Sequence, residues 1–168
     1  MSAMKSFKTQ IIILMAIIAA SFIFIGVTLH VGGKNQIESS AASSFFSEVR
    51  AVKLGQKIFT VEIAAKKEAQ TLGLSGRDSL ATNAGMLFVF DAPFSYGFWM
   101  KDMKFSIDIV WIDEFGRVVD LAQNISPETF PKIFYPQTPA RFVLELNAGA
   151  ADQNGIKIGT NVDFLKSI

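Results

Sequence analysis

Hydrophobic positions fall into two regimes along this chain. The first is a single run, Ile11 to Leu29, broken only by Ser21, Gly26 and Thr28. As a helix rising ~1.5 Å per residue it would be about 28 Å long, enough to cross the apolar part of a bilayer. Lys5 and Lys8 precede it and no acid occurs before Glu38. That asymmetry predicts that residues 1–10 stay in the cytoplasm and the remainder lies outside it. A signal-peptide core is usually ~7–15 residues, so the longer run favours a retained single-pass anchor over 11–31, with cleavage near Val31-Gly32-Gly33 or Ser39-Ser40-Ala41 as the alternative. Residues 32–47 are small, polar and aperiodic, the pattern of a flexible linker. Within them Phe45-Phe46 is the exception, and it is expected to dock on the domain that follows.

The second regime, residues 48–168, is a series of short apolar segments separated by turn residues. Glu48 to Leu54 and Lys57 to Ile63 flank Gly55-Gln56, a two-residue hairpin loop. Ala64 to Leu72 holds helix formers and ends at Gly73, a C-terminal cap. Leu74 to Asn83 reads as loop. Gly85 to Phe90, Tyr96 to Lys101, Ser106 to Asp113, Arg117 to Ala122, Arg141 to Asn147 and Asn161 to Leu165 read as strands, with Asp91-Ala92-Pro93 and Glu114-Phe115-Gly116 as turns. Pro127, Pro131 and Pro136 predict a long ordered loop over Asn124 to Thr138. Ala148 to Gln153 suits one helical turn. Nothing repeats, and no parallel βαβ series is evident. The fold class predicted is mainly β (α+β): a compact antiparallel sheet or barrel-like domain with one or two short helices.

Strand alternation sorts the side chains into faces. Phe98 and Met100 share one face; Trp99 and Lys101 share the other. Phe142, Leu144 and Leu146 oppose Val143, Glu145 and Asn147. Asp108 lies on the same face as Val110 and Ile112. A carboxylate there needs a cation or backbone donors, because an unpaired buried charge costs several kcal/mol; a structural ion pair is the expectation. The stretch Gly85 to Asp113 thus builds a core with one face and a polar, aromatic-lined surface with the other.

Composition narrows the chemistry. There is no cysteine, which excludes disulfides, lipoprotein anchoring, thiolate metal sites and thiol nucleophiles. The only histidine, His30, precedes the domain, so triads and His–metal chemistry are unavailable to it. Of 16 Lys and Arg, setting aside Lys5 and Lys8 leaves 14 against 15 acids, a net of −1 with no basic run. Nucleic-acid binding would need a clustered positive face. Gly85, Gly149, Gly155 and Gly159 match no phosphate-loop spacing and read as backbone devices.

Several blocks follow one another in a definite order: Gly73-Leu74-Ser75-Gly76-Arg77 with Leu80, Gly85-Met86-Leu87-Phe88, Phe98-Trp99-Met100-Lys101-Asp102, Ile107-Asp108-Ile109 with Ile112-Asp113, Pro139, Val143-Leu144-Glu145-Leu146 with Ala148-Gly149, and Gly155-Ile156 with Gly159. In this order they resemble the family known as domain of unknown function 192, over roughly Ala51 to Phe164. The resemblance implies a compact β-rich domain, often behind a signal or anchor, and brings no established activity. Where the family pattern has Met, Asn and Thr, this chain has Ser75, Asp102 and Met103. At 102 the change adds an anionic acceptor and removes an amide donor.

The candidate binding residues are Arg77, Trp99, Lys101, Asp102 and Glu145, with Tyr135 on the rim of the proline-rich loop. Arg77 reads either as a fork for a ligand's carboxylate or phosphate or as an internal clamp on Asp108 or Glu145. Trp99 beside Lys101 reads either as a stacking platform or as core beside a snorkelling lysine. Asp102, Asp108, Asp113 and Glu145 could supply a hydrolytic carboxylate pair, but no spacing signature marks them, and no metal loop is present. No catalytic residue, metal or cofactor is therefore assigned. The function expected is a membrane-tethered domain of the inner membrane's outer, periplasmic side that binds an envelope glycan, an acidic small molecule or a protein partner. A carboxylate-dependent hydrolase and an assembly module without a pocket are the alternatives.

Overall fold

In a computed structural model of the chain, described at Phe46 and over residues 48–166, nine strands form a curled sheet and a two-stranded ribbon. The strands are β1 (Ala51–Leu54), β2 (Lys57–Ala64), β3 (Ala84–Phe94), β4 (Phe98–Trp99), β5 (Ile107–Ile112), β6 (Val118–Ile125), β7 (Ile133–Phe134), β8 (Ala140–Asn147) and β9 (Val162–Leu165). Two short helices, α1 (Lys67–Leu72) and α2 (Ala150–Gln153), and a 3-10 turn at Pro127–Thr129 complete it. The chain divides into units Met1–Ala42 and Ser43–Ile168, and every described residue belongs to the second. The anchor expected at 11–31 and most of the linker lie outside the described residues. Phe46 does dock: its ring packs on Phe142 at 4.7 Å and edge-on against Phe164 at 5.2 Å.

The seven-stranded sheet runs β6-β5-β8-β3-β2-β1-β9, and β4 pairs with β7 separately. Its outer strands approach at one end. Val118 N donates to Thr160 O, Val162 N donates to Gly116 O, and Arg117 bridges Asn161. The result is a half-barrel, mainly β with two short helices. All neighbouring strands are antiparallel except β2 and β3, which pair in parallel from Thr60–Ala84 to Ala64–Phe88. The antiparallel expectation is corrected at this one pair: β2, α1 and β3 make a single crossover, and no βαβ series follows it among the described residues. The connection through α1 and its following loop is long enough to return the chain to the same end of the sheet.

Both faces of the central strands are covered, so β5 is buried at every position. Inside the curl, Phe59, Leu87, Val110, Ile112, Phe142 and Leu144 pack together. Outside it, Phe88, Phe98, Met100, Ile109, Trp111 and Val143 form a second core under α1 and the β4–β7 ribbon. The parity assignments hold: Phe98 and Met100 point in, while Trp99 and Lys101 point out. The turn expected at Asp91-Ala92-Pro93 is instead the exposed end of β3, which continues past a register shift between Val89 and Phe94. An irregular, exposed strand end tolerates proline because no ladder donor is lost.

Asp108 is fully buried, and the ion pair expected for it is replaced by backbone donors. Oδ1 accepts from Asn124 N at 2.8 Å and Gly149 N at 3.2 Å; Oδ2 accepts from Ala151 N at 2.8 Å. The end of β6 and the start of α2 converge there and expose N–H groups to the inner face, so no side-chain cation is required.

Gly85 marks a close approach of β3 to β8. A Cβ there would lie 2.9 Å from Glu145 O and 2.9 Å from Leu146 Cδ2. The carbonyl belongs to a central ladder and cannot yield. Gly85→Ala is expected to cost about 1–3 kcal/mol by overpacking, read as a lower denaturant midpoint at unchanged slope. An unshifted midpoint would contradict the close approach.

Candidate functional site

The outer core is open at one place, between α1 and β4. Gln70 Nε2 donates to Val89 O at 2.8 Å and holds α1 on β3. Gly73 ends the helix with φ 53, a conformation glycine adopts without a Cβ penalty. A Cβ at Gly73 would stand 3.4 Å from Phe88 Cζ and 3.9 Å from Glu145 Oε2, so the helix end crosses close above both. The loop after it is tied to the corner beyond β4: Ser75 Oγ donates to Lys101 O and Gly76 N donates to Asp102 O, each at 2.8 Å. Asp102 turns that corner with φ 56. Asn and Asp are the non-glycine residues that best tolerate this region, so the corner is compatible with either at position 102.

These ties enclose a cleft. Its inner cavity is about 240 Å³, floored by Phe88 and Glu145 and walled by Phe90, Tyr96, Phe98 and Trp99. A shallower outer depression shares Lys67, Thr71, Leu72, Ser75 and Trp99 with it and adds Glu68, Lys101 and Asp102. The walls are braced by ring contacts. Phe98 meets Phe88 edge-on at 4.8 Å, Phe90 and Tyr96 stack at 3.5 Å, and Trp99 meets Phe130 at 6.2 Å. Trp99 is 49% exposed, which places its indole on the cleft wall rather than in the core.

Glu145 is the unusual member. It is 5% exposed, and its Oε2 has no hydrogen-bond partner among the described residues. Burial pushes its carboxyl up to about 8, with Arg77's charge offsetting only part of that. At neutral pH it is therefore mostly protonated. The neighbours opposite it in the ladder, Met86 and Ile109, are apolar.

Arg77 makes an internal clamp, but on a different acid from those expected. Its Nη1 and Nη2 bond Glu62 Oε1 at 2.5 Å and Oε2 at 2.7 Å. The guanidinium is thus held by Glu62 and not by Asp108 or Glu145, and it does not line the cleft. Partial exposure on both sides limits what the pair adds to stability. Glu62 escaped sequence reasoning because it reaches Arg77 only through the parallel β2–β3 pairing. Trp99, Lys101, Asp102 and Glu145 do come together around the cleft. Tyr135 does not line it. It packs behind the wall, where a Cβ at Gly97 would overlap its ring. Asp108 lies on the opposite face of the sheet, and Asp113 caps its own hairpin by accepting from Phe115 N and Arg117 N. Gln70, Thr71 and Tyr96 were missed as lining residues; Tyr96 lies within the aromatic stretch, whereas Gln70 and Thr71, on α1, carry no sequence signal.

A half-barrel with an outer helix, and an aromatic cleft over one buried glutamate, define a β-rich domain with a preformed concavity. The chain belongs to the DUF192 family, described as an uncharacterized ACR, whose model matches residues 50–164. No curated protein matches it. It is similar to a crystallised protein of unknown function from Novosphingobium aromaticivorans DSM 12444, at 30% identity and a TM-score of 0.65 over 69% of this chain and 85% of that one. It is also similar to a candidate transcription regulator from Sinorhizobium meliloti 1021, at 28% identity and a TM-score of 0.65 over 70% of this chain and 94% of that one.

Proposed function

We propose that this chain is a ligand-binding module of the cell envelope, tethered through residues 11–31 to the inner membrane and working on its outer side, with the cleft beneath Trp99 as its binding site. The observation that carries the reading is Glu145 Oε2, a buried acceptor left unsatisfied at the floor of an aromatic concavity. Buried polar groups are nearly always paired, so an orphan on a side chain that lines a cavity marks a place where a partner from outside completes the set. A polar glycan or small molecule suits the mixture of rings, carboxyl and rim charges.

The hydrolase alternative has less support. Among the described residues Glu145 is the sole acidic side chain lining the inner cavity, whereas a carboxylate pair would need a second. Transcriptional regulation is not carried over from the Sinorhizobium protein, since the residues beyond the apolar run hold no basic stripe.

The test is thermal unfolding and indole emission of the full chain in detergent against envelope sugars, small acids and amines. A binding ligand raises the midpoint by mass action and perturbs Trp99. Trp99→Ala is expected to abolish both responses while costing under ~1 kcal/mol in stability, since half the ring is already in solvent. A response that survives Trp99→Ala, or silence across all three panels, would overturn the cleft as the binding site. The tether is checked separately: an alkaline phosphatase fused after Ile168 should be active, and an inactive fusion would place the domain in the cytoplasm.

A further inference from the structure

The cleft's hydrogen-bonding capacity is lopsided. Four lining residues carry side-chain donors that are already committed to backbone carbonyls at 2.8 Å: Gln70 to Val89, Thr71 to Lys67, Ser75 to Lys101 and Tyr96 to Ala92. Apart from one amide hydrogen of Gln70 and the proton of the neutral Glu145 carboxyl, the side-chain donors left belong to Lys67 and Trp99, both exposed at the mouth. What remains inside is rings and acceptors: the aromatic walls, hydroxyl lone pairs and the Glu145 carboxyl, which is acceptor-only once it gives up its proton. A concavity of this kind has little with which to hold an anion and much with which to hold a cation that is also a donor.

Resting on the binding reading above, we propose that the occupant of this cleft is an organic ammonium group, ion-paired with Glu145 at the floor and flanked by the rings of Phe90, Tyr96 and Trp99. The charges around the cleft agree with this. Lys67 and Lys101 face Glu68, Asp102 and Glu145, so an ionised Glu145 leaves an excess of one negative charge. Arg77 does not reverse the sign, because Glu62 neutralises it through both nitrogens. Size agrees as well. At the ~30 Å³ each water occupies in the liquid, 240 Å³ holds about eight non-hydrogen atoms.

Binding then carries a proton signature. The ammonium pairs with the carboxylate, so Glu145 gives up its proton to solvent when the cation enters. Two nearby groups do not share in this: Tyr96 is held neutral by burial and by Asp91, and Arg77, outside the lining, is held charged by its bond to Glu62. With the Glu145 carboxyl at about 8, apparent affinity rises roughly tenfold per pH unit below that point and levels above it.

Three probes of nearly one shape test it on the full chain in detergent: benzylammonium, benzyl alcohol and benzoate, titrated calorimetrically from pH 6 to 9. Benzylammonium is expected to bind at least tenfold more tightly than benzyl alcohol at pH 8, with about one proton released per ligand at pH 7, and benzoate weakest. Glu145→Gln is expected to remove the preference and the pH slope while still binding benzyl alcohol, which shows that the cleft persists. Benzyl alcohol or benzoate binding as well as benzylammonium would overturn the ammonium assignment and leave the cleft reading standing. So would a sugar that binds in a Trp99-dependent way when benzylammonium at 10 mM does not. Failure of every probe and every panel ligand would overturn both.

Discussion

Glu145→Gln is expected to be more stable than the native chain at pH 9 by on the order of 3–4 kcal/mol, and within about 1 kcal/mol of it at pH 4. The sign follows from which state holds the proton. In the unfolded chain Glu145 titrates near the ordinary glutamate value of 4.5, and in the folded protein burial moves it to about 8. Between those values the folded state binds a proton that the unfolded state has released. Stability therefore falls as pH rises, by ~1.4 kcal/mol per unit from this group, and the loss is complete above about 8. Gln has no such window; its cost is an amide N–H without a partner, about 1 kcal/mol. Denaturant unfolding of both proteins from pH 4 to 9 reads the effect directly. Two parallel stability profiles would mean that Glu145 has a partner in the folded state. Glu48, Glu62 and Asp78, whose carboxyls are lowered by Lys166, Arg77 and Lys104, act in the opposite direction and only in acid. A side chain that weakens the fold at physiological pH and faces a cleft fits the trade of stability for function.

Much of the arrangement around that side chain is readable from local pattern, because alternation is a property of each strand alone. It places Trp99 and Lys101 opposite Phe98 and Met100, and Glu145 opposite Leu144 and Leu146, as observed. What it cannot give is which strands meet. Arg77, in the loop between α1 and β3, finds Glu62 of β2 through a parallel crossover that alternation within either strand does not encode. Tyr135 was placed on the rim by loop composition, but the β4–β7 ribbon turns it behind Gly97. Pro93 reads as a turn to any local rule, yet it ends a long strand at an exposed irregularity. The donors of Gln70, Thr71, Ser75 and Tyr96 are ordinary polar residues in sequence. Only their hydrogen bonds reveal that the cleft is left rich in acceptors.

Asp108→Ala is expected to have the opposite effect and the largest loss, on the order of 4 kcal/mol. The carboxylate satisfies Asn124 N, Gly149 N and Ala151 N, and it is wholly enclosed. Removing it strands three donors, each costing about 1–3 kcal/mol when buried, although the loop and α2 can relax enough to wet some of them. One of the three belongs to Asn124, held at φ 54°, so the carboxylate also holds a conformation that a non-glycine residue disfavours. Asp108→Asn keeps one oxygen for Asn124 and Gly149 but turns an amide toward Ala151 N, donor against donor; a loss of about 2–3 kcal/mol is expected. Denaturant midpoints order the series native, Asn, Ala, and a loss under about 1 kcal/mol for Ala would show that the three donors find water instead. The two buried acids thus separate by test as they do by place. Asp108, on the inner face, holds the end of the half-barrel, and its variants should still bind benzylammonium once folded. Glu145, on the outer face, weakens the fold, and its variant should be the stabler protein that no longer tells a cation from an alcohol.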